Sequence, residues 1–183
     1  TCKILIVTGC MAQRYKEEIT EEIPEVDAVL GTTSYGDIVK ALNEAEAGHV
    51  FREFKDINAL PEDSGRRVIT TGGHFGYLKI AEGCDKHCTY CIIPSLRGKF
   101  RSVPEERLLK QAEYMASQGV RELILVAQET TVYGTDLYGK KTLHILLKKL
   151  CQIKGIRWIR VLYCYPEEIY DELIQVMKEE KKI

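Results

Sequence analysis

The sequence predicts an α/β fold with parallel strands, laid out in two segments. Two strand–helix alternations occupy residues 3–47, and three further βα units run from Tyr77 to Ile183. A polar stretch containing Pro61, Ser64, Gly65 and Gly72-Gly73 separates them. Strands that alternate with helices are joined by crossovers, and crossovers produce parallel sheets.

The aliphatic run KILIVT (3–8) reads as a buried strand ending at Gly9. A charged helix is expected from Gln13 to Glu22, closed by Pro24, and VDAVLG (26–31) is the second strand. Ser34 is the expected cap of a helix over Tyr35–Ala47, with Gly48 as its stop. A segment of 1–48 is too small to bury a convincing core alone. Residues 49–76 read as a linker with one short strand at Arg67–Thr70.

YLKIAEG (77–83) begins the second alternation. Ser102 is the expected N-cap of a helix with Glu105 at the capping-box position; Leu108, Leu109, Ala112, Met115 and Ala116 share one face, and Gly119 ends it. ELILVAQE (122–129) is the next strand, 142–153 a leucine-faced helix, WIRVLYCYP (158–166) the third strand, and a helix starts behind Pro166. Three βα units are fewer than a closed barrel needs, so 77–183 reads as the first half of a parallel βα barrel.

Apolar residues make up 45% and charged residues 29%, which is globular rather than disordered composition. A net charge of −1 argues against a basic nucleic-acid cradle over the whole chain. No apolar run reaches membrane-spanning length, and no secretory leader is recognisable, so the expectation is a cytoplasmic protein with no membrane partner. The start at Thr1 rather than Met suggests a trimmed segment. Seven cysteines, an odd number, argue against a disulfide scaffold and for a reducing compartment.

Three of the seven, Cys84, Cys88 and Cys91, fall within eight residues just after a strand. In parallel βα folds the C-terminal ends of strands carry the chemistry. A structural zinc site wants four closed ligands, and His87 would have to fold back between its own neighbours to be the fourth. An iron–sulfur cluster held by three thiolates fits better. It leaves one iron open to a substrate or cofactor.

The CxxxCxxC spacing, with Tyr90 just before the last cysteine, resembles the radical S-adenosylmethionine (SAM) superfamily. The resemblance implies that Cys84, Cys88 and Cys91 hold a [4Fe-4S] cluster whose open iron chelates SAM, which is then cleaved by one electron to methionine and a 5′-deoxyadenosyl radical. VTGCMAQRY (7–15), EGCDKHCTYCIIPSLRGKFRS (82–102), VAQETTVYGTDLYG (126–139) and LYCYPEEI (162–169) are similar to the methylthiotransferases within it. IIPSLRG and Tyr165-Pro166 resemble the RimO type, which methylthiolates an aspartate of small-subunit ribosomal protein twelve. The resemblance therefore implies a partial N-terminal α/β methylthiotransferase domain (1–48), a linker (49–76) and the first three βα units of a radical SAM domain (77–183).

It further implies a second [4Fe-4S] cluster with Cys10 as one ligand, the other two preceding Thr1. Cys2 is a poor substitute, since eight residues of strand separate the two sulfurs by roughly 25 Å. The rest of the barrel and a terminal TRAM domain are likewise expected to be missing, so activity of the isolated chain is expected to be impaired. Tyr90 is expected near the adenine, Gln128 and Glu129 near SAM, and Arg97 or Arg101 at a carboxylate. An arginine common in the family after the serine is Val103 here. The implied partners are a ribosomal protein substrate, an electron donor such as flavodoxin and a sulfur donor. The competing readings are a tRNA adenosine methylthiotransferase, for which nucleic acid would be the partner, a non-catalytic fragment, and a zinc-stabilised module. Cys151 and Cys164 read as core cysteines, His74 as a hinge-side loop residue, and His49 and His144 as residues without an evident partner.

Overall fold

A computed structural model describes residues 2–60, 67–70 and 72–183. The linker residues Pro61, Ser64 and Gly65 and the terminal Thr1 lie outside the described residues. The chain divides into two compact units, Thr1–Gly65 with Lys86–Lys99, and Arg66–Asp85 with Phe100–Ile183. The segment carrying Cys88 and Cys91 thus belongs to the first unit, whereas a reading along the sequence keeps it with residues 77–183.

In the first unit, β1 (Ile6–Thr8), β2 (Ala28–Leu30) and β3 (Phe51–Glu53) form a parallel sheet in that order. The register pairs Val7 with Val29 and Val29 with Arg52. All three residues of the central β2 are buried, as expected of a strand covered on both faces. The expected helix over Gln13–Glu22 is two helices, α1 (Cys10–Tyr15) and α2 (Glu17–Glu22), broken at Lys16 with φ 39° and ψ −105°. The Lys16 N–H still closes α1 on the Ala12 carbonyl, while Glu17 and Glu18 place negative charge at the new N-terminus of α2.

The expected helix after Ser34 begins as a 3₁₀ turn (Tyr35–Asp37) and continues as α3 (Ile38–Glu46). Ser34 does not cap it. Its Oγ accepts the Lys55 N–H at 2.9 Å instead, a tertiary bond that outcompetes the local one. The strand β3 lies inside the stretch read as linker. It solves the size problem of residues 1–48, because Phe51 packs on Ala28, Leu30 and Ala41, and nearby Phe54 packs against Ala12, Ile19, Val26 and Val29. A short helix, α4 (Ile93–Arg97), completes this unit.

In the second unit, β4 (Phe75–Lys79), β7 (Glu122–Val126) and β8 (Trp158–Val161) form a parallel sheet in the order β4-β7-β8. A two-residue antiparallel pair, β5 (Ala81–Glu82) with β6 (Arg101–Ser102), lies between β4 and the helix that follows. Leu123, Ile124 and Leu125 of β7 are all buried, whereas β4 alternates, with Gly76 and Leu78 in and Tyr77 and Lys79 out. The central strand is packed on both faces and the flanking strands on one.

Helices α5 (Glu105–Ser117), α7 (Leu143–Cys151) and α8 (Asp171–Glu179) set Leu108, Ala112, Met115, Leu146, Leu147, Leu150, Leu173 and Val176 into one core with Leu78, Leu123, Leu125 and Ile159. A one-turn helix, α6 (Thr135–Tyr138), was not expected from the sequence. No strand forms at Arg67–Thr70. Pro104, with φ −52° and ψ 139°, holds the N-cap position of α5 in place of Ser102. Ser102 is paired with Ala81 in β6, and its Oγ accepts the Gly134 N–H at 2.9 Å.

The histidines find partners that the sequence did not disclose. His49 Nδ1 lies 3.1 Å from Glu44 Oε2, and His144 Nδ1 lies 3.1 Å from the Tyr170 hydroxyl. The His74 carbonyl accepts the N–H groups of Arg121 and Glu122 at 2.7 and 3.0 Å, fastening the entry of β4 to that of β7.

Leu147→Ala removes a fully buried side chain from the centre of this core. It is expected to destabilise the second unit by about 2–5 kcal/mol, read as a lower urea midpoint at unchanged slope.

Candidate functional site

Parallel pairing in the second unit aligns the C-terminal ends of its strands, with Lys79 opposite Val126 and Leu125 opposite Val161. Two segments leave these ends, Ala127-Gln128-Glu129 after β7 and Leu162–Tyr165 after β8, while Gly83-Cys84-Asp85 follows the short β5, which comes just after β4 and pairs with β6. Gly83, at φ 75°, turns the chain out of the sheet immediately before Cys84. The Phe100 N–H donates to Asp85 Oδ1 at 3.1 Å, and β5 pairs with β6. Both ends of the 86–99 excursion are therefore fixed in the second unit.

Within the excursion, Cys88 and Cys91 lie on one turn, closed by the Cys91 N–H on the Cys88 carbonyl at 3.0 Å. Cys84, Cys88 and Cys91 are half-buried thiols with no disulfide, and Tyr90 between them is 87% exposed. Among the described residues, no three His, Cys, Asp or Glu side chains are gathered as a ready metal-binding group. The donor chemistry nevertheless suits an iron–sulfur cluster. Three thiols of one short segment, partly open to solvent, sit on backbone committed to neither helix nor strand.

Glu129 is the most unusual polar residue of the second unit. Its side chain is 1% exposed. Oε1 accepts the Thr131 hydroxyl and the Thr131 N–H at 3.0 Å, and the Tyr165 N–H stands at 3.5 Å. Oε2 is buried with no hydrogen-bond partner among the described residues, and Gln128 Oε1 is in the same condition. Leaving a buried acceptor unsatisfied costs about 1–3 kcal/mol, and more for a charged group. These two acceptors belong to neighbouring residues just past the end of β7, and the described residues supply neither with a donor.

The surrounding loop is rigidly pinned. Thr130 Oγ1 donates to the Leu162 carbonyl at 2.8 Å, the Tyr133 hydroxyl donates to the Val103 carbonyl at 2.8 Å, and the Ser102 N–H donates to Asp136 Oδ2 at 2.8 Å. Burial holds the Tyr133 phenol well above its ordinary pKa, so it stays a neutral donor. Thr130 and Tyr133 were not singled out from the sequence, because hydroxyls in a loop carry no signal of the carbonyls they will meet. Cys164 is half-buried with its sulfur 3.4 Å from Thr130 Oγ1, at the strand end rather than in the core. Cys151 is a buried core residue, as expected.

In the first unit, Gly9 at φ 92° precedes Cys10, the first residue of α1. Arg97, at the end of α4, points its Nε–H at Cys10 Sγ, 3.0 Å away. The sequence suggested a carboxylate for this arginine; in the structure its Nε meets a sulfur. Beside this contact, Thr32 Oγ1 donates to the Leu96 carbonyl at 2.9 Å, and Gln13 Oε1 accepts the Thr32 N–H at 3.1 Å. Thr32 and Gln13 likewise escaped the sequence reading. Cys2 is exposed, its thiol donating to the Ile4 carbonyl at 2.8 Å.

A family model described as the radical SAM superfamily matches residues 78–182. The chain is 64% identical over 181 residues to a protein of Lachnoclostridium phytofermentans named ribosomal protein uS12 methylthiotransferase RimO, covering 99% of this chain and 41% of that one. It is 52% identical over 184 residues to the protein of the same name from Clostridium botulinum strain Eklund 17B, covering 100% and 41%. The chain thus spans about two fifths of the length of these curated relatives. A solved structure of the radical SAM methyltransferase TsrM from Kitasatospora setae, with cobalamin and a [4Fe-4S] cluster bound, superposes with a TM-score of 0.61 at 11% identity. It covers 94% of this chain and 39% of that one, a likeness of fold.

Burial, and then the nearby Glu180, push the Cys151 thiol up to about 11. Since only the thiolate attacks disulfide reagents, Cys151 is expected to resist labelling by DTNB at pH 8 until the chain unfolds, while the exposed Cys2 labels at once. Mass spectrometry of the labelled peptides checks both.

Proposed function

Since the chain belongs to the radical SAM superfamily, we propose that it is part of a methylthiotransferase of the RimO type, an enzyme that attaches a methylthio group to the β-carbon of an aspartate in ribosomal protein uS12. The observation that carries this is the cysteine segment 84–91, set after β5 in the matched region, in a chain 64% identical to a relative of that name. The first unit, with the strand β3 that the sequence placed in a linker, is then the end of the N-terminal methylthiotransferase domain, and the second unit carries the first three βα units of the radical SAM domain.

Cys84, Cys88 and Cys91 would hold a [4Fe-4S] cluster with an open iron, and Cys10 would be one ligand of a second. A cluster held there would supply the one-electron reductive chemistry that radical SAM enzymes use on SAM. The protein's own contribution is binding and orientation. Glu129 Oε2 and Gln128 Oε1, buried and unsatisfied, are suited to accept from an ammonium or hydroxyl of SAM. The exposed face of Tyr90 can stack on its adenine. The bonds from Thr130 and Tyr133 hold this loop so that the acceptors need no rearrangement. The remaining partners of this reading are an electron donor such as flavodoxin and a sulfur donor, in the cytoplasm. No helix among the described residues is long and apolar enough to cross a membrane.

The test is anaerobic reconstitution of the full-length protein with iron and sulfide, followed by electron paramagnetic resonance with and without SAM. Cluster binding that Cys88→Ala abolishes, a signal that SAM alters, and a mass gain of one methylthio group on a uS12 peptide are expected. A fully loaded cluster indifferent to SAM would overturn the reading. Glu129→Gln keeps an acceptor for Thr131 but removes the charge. It is expected to weaken SAM binding about tenfold or more, measured by calorimetry, because a hydrogen bond to a charged group contributes about 1.5–3 kcal/mol.

A further inference from the structure

Just past the end of β8, Tyr163 has φ 60°, in the left-handed region that a residue with a Cβ rarely adopts and a bulky aromatic more rarely still. The backbone bonds of the strand end hold it there. The Tyr163 carbonyl accepts the Thr130 N–H at 3.1 Å, and the Thr130 hydroxyl, which donates to the Leu162 carbonyl at 2.8 Å, stands 3.1 Å away. The Leu162 N–H donates to the Leu125 carbonyl of β7 at 3.2 Å. All of these bonds are made by backbone atoms of residues 162 and 163, so any residue, glycine included, could make them.

The ring itself does nothing for this unit. It is 64% exposed and makes no hydrogen bond or ring contact among the described residues. Elsewhere in the second unit the left-handed turns at Gly83, Gly134 and Gly139 are made by glycine, which carries no such strain. At residue 163 the fold thus bears the strain of a side chain that contributes no packing to it. A local choice of residue that conflicts with its backbone is characteristic of a functional position. Its place fits that. Thr130, which holds Tyr163, directly follows Gln128 and Glu129, whose Oε1 and Oε2 atoms are buried without a partner.

We propose that Tyr163 is a substrate-binding residue: its ring, held out beside the Gln128-Glu129 acceptors by the left-handed backbone, packs on the peptide segment that carries the target aspartate. This rests on the reading above, in which those acceptors receive SAM and the substrate is a segment of uS12. A tyrosine suits the task because it offers a large, flat contact face with few rotatable bonds, so little freedom is lost on binding. Residues that hold substrate equally in the ground and transition states act on KM and leave kcat unchanged.

The experiment uses the full-length protein with its cluster reconstituted and SAM in excess. Binding of a fluorescein-labelled uS12 peptide is followed by anisotropy, methylthiolation by mass spectrometry, SAM affinity by calorimetry and stability by urea unfolding. Tyr163→Gly is expected to weaken peptide binding and raise KM about tenfold, with kcat and SAM affinity within about twofold of the parent's. Its urea midpoint should lie at or above the parent's, because glycine removes the strain. Tyr163→Ala, which keeps the Cβ but not the ring, should match the loss of peptide binding at the parent's midpoint. Tyr163→Phe should bind the peptide as the parent does. Unchanged peptide affinity in both Tyr163→Gly and Tyr163→Ala overturns the proposal. So does a lower urea midpoint in both, which would mean that the ring packs on another part of the full-length chain. A fall in SAM affinity as large as the fall in peptide affinity likewise overturns it, by assigning the ring to the cofactor. A parent protein that holds its cluster and SAM but neither binds nor modifies the peptide would instead overturn the RimO reading, and the proposal with it.

Discussion

The feature on which the rest depends is the parallel pairing of β4, β7 and β8, with β7 buried on both faces. Parallel strands can be joined only through crossovers, and here helices α5 and α7 make them. The helices then cover apolar side chains that a two-sided strand would otherwise expose. The same pairing forces every strand to end in the same direction. Gln128-Glu129 and Cys164-Tyr165 therefore both follow the C-terminal ends of strands of one sheet, although about 36 positions of sequence separate them.

Polar groups at these ends are satisfied unequally, and the inequality has chemical meaning. Thr130, Tyr133, Ser102 and Asp136 each find a backbone partner. These bonds make the post-β7 loop a fixed platform. Against that background, the unsatisfied Oε2 of Glu129 and Oε1 of Gln128 stand out. These two acceptors, unlike the hydroxyls of the same loop, are buried without a partner among the described residues, at a cost of about 1–3 kcal/mol each.

The first unit obeys a different constraint, that of size. Its three short strands and four short helices make two small apolar clusters rather than one large core. Side-chain-to-backbone bonds supplement them. Ser34 takes the Lys55 N–H, and Thr32 takes the Leu96 carbonyl across 64 residues of sequence. Through the latter, the short helix after Cys91 is held beside Cys10, and Arg97 comes to rest on a sulfur instead of in solvent.

The sequence by itself determined the α/β class, the parallel alternation and the close spacing of three cysteines. Each of these follows from local chemistry: apolar runs at strand or helix spacing, glycine where the chain must turn, and three thiols placed within a reach that no fold could lengthen. It also located the helical faces of α5 and α7, because burial of a stripe is periodic. Tertiary structure alone decided the rest. Ser34 and Ser102 look like caps until distant N–H groups claim their hydroxyls. The helix over 13–22 breaks at Lys16, although its residues favour helix. Phe51 and Phe54 read as linker until two clusters need them. The partners of Cys10, His144 and Glu129 lie 87, 26 and up to 36 residues away. Side-chain hydrogen bonds depend on which backbone groups remain unsatisfied once the sheets have formed, and that remainder is known only after the chain has folded.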